Sequence, residues 1–131
     1  PGHAFDGYVN CRGRLALLTW HRGAHAAARA ELQQAVDRLC AAVPEDHFLV
    51  SSMLTMQADL AEADGDPAAA EELLRDAMSR SLQAGRRGEH ALQHERLVRV
   101  LLAVGRVEEA ARLQQEAVAE AVGDAAGEAT K

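Results

Sequence analysis

Apolar and polar positions recur in three similar stretches, each built around a glycine. They are "HRGAHAAARAELQQA" around Gly23, "ADGDPAAAEELLRDA" around Gly65 and "AVGRVEEAARLQQEA" around Gly105. With the glycines aligned, alanine stands five residues later at Ala28, Ala70 and Ala110, and twelve later at Ala35, Ala77 and Ala117. Five residues before the glycine stand Leu18, Leu60 and Val100, and eight before stand Leu15, Gln57 and Leu97. A period of about forty residues lies in the range that marks stacked helical repeats.

Each position has a physical reading. A glycine after a helix takes the left-handed conformation that ends it, because it has no Cβ to clash. Pro67 suits the first turn of a helix, where its missing N–H costs nothing. The alanine five residues on lies near the tight end of a helical hairpin, and the next, seven later, returns to the same face. The pattern predicts helices near 6–21, 25–42, 46–63, 67–84, 88–104 and 107–122, paired as hairpins over about 6–42, 46–84 and 88–122. "VPED" and "GRRG" join the hairpins; Pro44 cannot continue a helix, and Glu45 and Asp46 favour the next N-terminus. Gly7 and Gly13 weaken the first helix, and "GDAAGEATK" (123–131) reads as a flexible, frayed tail.

Composition fits this pattern. The 131 residues suit a single domain with its own core. Alanine and leucine dominate, with Glu, Gln and Arg, all good helix formers, so an all-α fold of three stacked antiparallel hairpins is expected. The net charge of −6 argues against direct nucleic-acid binding, which needs a basic footprint. No apolar run approaches the roughly 20 residues that span a bilayer, and no signal peptide is visible. The chain begins at Pro1 rather than Met, so it is expected to be a piece of something larger. Cys11 and Cys40 form neither a disulfide framework nor a metal spacing; they read as buried, reduced thiols of a cytoplasmic protein.

Candidate chemistry is sparse. His90 and His94 in "EHALQHE" lie one helical turn apart, a spacing that can hold a metal, but Ala91 stands where a zinc protease motif needs its general base. His94 also falls at a packing position of the repeat, so no metal site is assigned. His21 and His25 flank a turn and need not share a face. Ser51, Ser52, Ser79 and Ser81 lie in helical context without an oxyanion turn, and no phosphate-binding glycine loop occurs. No catalytic residue and no cofactor are assigned.

The Gly–Ala–Ala register resembles the tetratricopeptide repeat, over about Tyr8 to Val122. There are departures. The family's bulky aromatic, eleven before the glycine, is replaced by Arg12, Leu54 and His94, and its proline, seventeen after, by Cys40, Leu82 and Val122. The long, degenerate repeats are similar to those of large bacterial transcriptional regulators. The resemblance implies a non-catalytic module that binds a protein or peptide in a concave groove lined by the first helix of each hairpin. Carried over, the groove holds Asn10, Leu17, Trp20 and His21; Ser52, Thr55, Asp59 and Glu62; and Glu95, Arg99 and Leu102. Asp59 and Glu62 would make its middle acidic, and Trp20 is a candidate aromatic anchor. Gly13 and Leu17 stand where some members carry the basic and asparagine residues of a carboxylate clamp, so no such clamp is expected. The alternatives are a spacer or dimerisation element, a small-molecule or metal sensor, and, disfavoured by charge, an RNA-binding repeat. The last helix carries a second apolar stripe, which predicts a weak homodimer through the last hairpin or further repeats beyond it.

Overall fold

The break at Gly65 is a tight helix-ending turn. Helix α3 (Phe48–Ala63) stops at Asp64, and Gly65 takes φ +76°, a conformation that strains any residue with a Cβ. The Gly65 N–H donates to the Glu62 carbonyl (3.1 Å) and the Asp66 N–H to the Ala61 carbonyl (2.9 Å), satisfying the last carbonyls of the helix. Asp66 then accepts a hydrogen bond from the Ala69 N–H (3.3 Å), and Pro67 opens α4 (Pro67–Gln83).

The same pair of bonds recurs at Gly23, between α1 (Gly2–His21) and α2 (His25–Ala42), and at Gly105, between α5 (Arg87–Ala103) and α6 (Val107–Ala129). It recurs a fourth time at Gly85, between α4 and α5. The "GRRG" joint is therefore a turn of the same kind as those within hairpins. Among the described residues, the α2–α3 connection has no such glycine turn. It carries Pro44, and α3 is capped by His47, whose Nδ1 accepts from the Leu49 N–H (3.2 Å).

The computed structural model describes residues 2–44 and 47–129, with side chains over 7–44 and 47–127. Glu45 and Asp46, expected to start α3, lie outside the described residues, as do Thr130 and Lys131 of the expected tail. The rest of that tail is not frayed: α6 continues through Gly123 to Ala129. Alanine and glutamate favour the helix, a helical glycine costs only about 1 kcal/mol, and Asp124 is tied to Arg87 of α5 by an ion pair.

Among the described residues, two apolar clusters hold six helices together. One joins Val9 and Ala16 of α1, Leu32 and Leu39 of α2, and Leu49 and Met53 of α3. The other joins Ala58 and Ala61 of α3, Ala70 and Leu74 of α4, Leu97 and Leu101 of α5, and Ala110 of α6. Ala28, Ala70 and Ala110 are all buried at the hairpin contacts, as the register requires. Gly13 is buried inside α1 because α3 comes close there: a Cβ would stand 3.3 Å from Met56 Sδ. Exposure follows position in the stack. Leu60 and Val100 are 4% and 1% exposed, but Leu18, at the same register in α1, is 55% exposed. Cys11 and Cys40 are exposed, not buried as expected, because both fall on outward faces of the first hairpin.

Candidate binding surface

The first helices of the hairpins meet along two seams of different chemistry. Between α3 and α5 the seam is a polar ladder. Ser51 Oγ donates to Glu89 Oε2 (3.0 Å), and Gln93 Nε2 donates to Thr55 Oγ1 (3.2 Å). Arg96 pairs with Asp59 (3.5 Å), and Arg99 donates through Nε and Nη2 to both Glu62 oxygens, each at 3.2 Å. The partners stand 37 or 38 residues apart, close to one repeat, so each rung joins nearly equivalent levels of adjacent helices. Burial raises the Asp59 carboxyl above its ordinary range, an effect that Arg96 and Arg99 oppose. Hydrogen bonding to Glu62 raises the Arg99 guanidinium further.

Between α1 and α3 the seam is apolar. Gly13 admits the Met53 and Met56 side chains, and Leu17, Trp20 and Met56 pack partly buried against the first core cluster. Methionine is flexible and polarizable, which suits a surface that adapts to a partner.

The expected groove residues divide accordingly. Asp59, Glu62 and Arg99 are brought together, but on one another: the expected acidic middle is neutralised by Arg96 and Arg99. Thr55 is buried in the ladder and is not a groove surface. Trp20 is half-buried and stacks on His25, with ring centroids 3.8 Å apart and planes 8° from parallel. It is thus held by the turn that follows it. Asn10, His21, Ser52 and Leu102 are exposed on the first helices, and Leu17 is half-buried. Glu95 is exposed and lines a cleft between α5 and α6 rather than the ladder.

A set of charge contacts escaped the sequence reading. Arg29, six residues after Gly23, pairs with Asp64 (3.0 Å) and Asp66 (3.4 Å) at the next turn. Glu71, six after Gly65, pairs with Arg106 at the turn after that, with the signs reversed. Arg75 of α4 reaches Glu109 of α6 (3.0 Å). Each pair ties a second helix to the following hairpin. The signal was present in the alignment, as opposite charges at positions six after one glycine and one after the next. Among the described residues, no group of three or more metal-ligating side chains could hold an ion, and no helix is long and apolar enough to cross a membrane.

The comparisons agree with this architecture. Residues 9–49 match the family model of the tetratricopeptide repeat, a repeat that generally mediates protein–protein interaction. No curated protein matches the sequence. Among solved structures, the chain is similar to the nearly identical TPR-like repeats of a Podosopora anserina protein assigned as a kinesin light chain. The TM-score is 0.73 at 22% identity, covering 86% of this chain and 54% of that one. A glutamine-to-methionine variant of the same protein matches with TM-score 0.74 and the same identity and coverage. This chain therefore spans about half the length of those structures. With six helices among the described residues, turning at recurrent glycines, the chain has the fold of a TPR-like helical-repeat domain.

Proposed function

We propose that this domain is a non-catalytic module that binds a protein or peptide on its inner face, along the α1–α3 seam. The observation that carries this reading is the contrast between the two seams. The α3–α5 ladder satisfies its own charges. The α1–α3 seam offers half-buried Leu17, Trp20 and Met56 flanked by exposed Asn10, His21 and Ser52. Apolar centres with a polar rim are the usual anatomy of a protein interface. The long, degenerate repeats resemble those of bacterial regulators, and on that resemblance the domain is read as a recruiting or sensing segment of a larger cytoplasmic protein.

The test is selection of binders from a random peptide library, followed by NMR mapping of the strongest. Shifts concentrated at Leu17, Ser52 and Met56, with binding lost in Met56→Glu, support the proposal. A footprint confined to the outer faces of α2, α4 and α6 would overturn it.

A second reading rests on α6. Val107, Val118 and Val122 are exposed on the last helix. They support a weak symmetric dimer through that hairpin, in the micromolar range by affinity arithmetic. Sedimentation over a wide concentration range tests it, and a strict monomer at the highest concentration overturns it.

A further inference from the structure

The last hairpin departs from the central one on its inner side. The register sets Val50 and Leu54 of α3 against His90 and His94 of α5, and Leu74 of α4 against Gln114 of α6. Val50, Leu54 and Leu74 are buried and close the central hairpin. Their replacement leaves a cleft of about 870 Å³ between α5 and α6, within the size range of small-molecule sites.

The lining has a direction. At one end lies the α5 N-terminus, which lacks a side-chain cap and carries Glu89, held by Ser51 of α3, in its first turn. Arg87 stands there and holds the Asp124 carboxylate of α6 across the mouth. Glu120 lines the cleft four residues earlier on α6, about 6 Å along the helix axis. Between these levels and the far end, His94 lines the cleft at 7% exposure. Its ring nitrogens have no hydrogen-bond partner among the described residues; its ring neighbour is His90, with centroids 6.1 Å apart. The ring nitrogens are not sealed from solvent but open into the cleft, where Leu54 closes the same position one repeat earlier. Among the described residues no third metal-ligating side chain joins the two imidazoles.

We propose that the α5–α6 cleft binds a small zwitterion of the amino-acid class. Its carboxylate lies at the α5 N-terminus beside Arg87, displacing Asp124, and its ammonium group faces Glu120. The body lies against Ala117, and the ligand hydrogen-bonds to the His94 imidazole. Asp124 shows that Arg87 takes a carboxylate at this place, and its release frees the last turns of α6 when ligand binds.

The test follows the imidazole NMR signals of His90 and His94 during titration with 4-aminobutyrate, butyrate or inorganic phosphate. The expected result is a saturable shift with 4-aminobutyrate at about millimolar concentration, about tenfold weaker binding of butyrate, and no saturable shift with phosphate. Arg87→Gln removes the group that receives the carboxylate and loosens the last turns of α6, leaves both core clusters intact, and weakens 4-aminobutyrate binding. The double variant His90→Val, His94→Leu restores the central hairpin's residues; by calorimetry it loses binding while its melting midpoint rises. Absence of a saturable shift with 4-aminobutyrate, an equal response to phosphate, or undiminished binding in Arg87→Gln would each overturn the proposal.

Discussion

The central hairpin, α3 with α4, and the last hairpin, α5 with α6, share a turn and a register but differ in filling. In the central hairpin Val50, Leu54, Leu74 and Ala77 are buried, and neighbours cover both of its flanks. In the last, the equivalent positions are His90, His94, Gln114 and Ala117; of these only His94 is buried. Val118 stands 55% exposed where Met78 is half-buried. A repeat therefore fixes the path of the backbone through a few glycines and alanines. The large side chains between them are free to make one hairpin a core element and another an open one.

The comparison can be broken by substitution. The largest expected effect is Leu74→Ala, which empties a fully buried site and should cost about 2–5 kcal/mol. Gln114→Ala, at the same register in α6, should change stability by less than about 0.5 kcal/mol. Urea unfolding of both variants measures the contrast, and equal costs would contradict it. Next comes overpacking. Ala70→Leu should cost about 1–3 kcal/mol by forcing α3 and α4 apart. Ala117→Leu projects into the α5–α6 cleft and should be neutral or stabilising by thermal melting.

Two glycines give a smaller contrast. Gly65→Ala places a Cβ on left-handed backbone and should cost about 1 kcal/mol. Gly13→Ala gains helix propensity, and the Met56 sulfur it meets lies at the end of a flexible side chain, so the net change should stay below about 0.5 kcal/mol.

The smallest effect concerns pH. The Arg106 hydrogen bond holds the Glu71 carboxyl below its ordinary value of 4.5. Its contribution is present at neutral pH and is lost as pH falls through that lowered value. Asp59 has the opposite sign. Burial raises it above 3.8, so the folded state takes up that proton more readily and gains stability as pH falls. Glu71→Gln should therefore flatten the acid limb of the stability curve and Asp59→Asn should steepen it, each by less than about 1 kcal/mol at these partly exposed sites. Identical acid limbs in the two variants would contradict the assignment.

Much of the fold was legible in the sequence because helix ends depend on local chemistry. Gly23, Gly65 and Gly105 each mark a turn whose left-handed backbone favours glycine, and Ala70 and Ala110 mark contacts that favour a small residue. The end of α6 was not legible: two glycines suggest fraying, and the Arg87–Asp124 pair that opposes it joins residues 37 apart. The surface was less legible than the fold. Family positions locate the inner helices but do not reveal what each side chain meets. Thr55 and Glu62 sit at groove positions, yet the next repeat supplies Gln93 and Arg99 to occupy them. His94 was recognisable as a packing position, but the cleft beside it depends on Gln114, which only the register brings opposite the central Leu74.

The most direct test of graded packing within one repeated backbone is native-state hydrogen exchange, resolved by residue. Amides of α3 and of α4 around Leu74 should exchange only through global unfolding, and those of α6 beyond Gln114 through local opening at much lower free energy. Uniform protection across α3 to α6, or greater protection in α6 than in α4, would contradict the account.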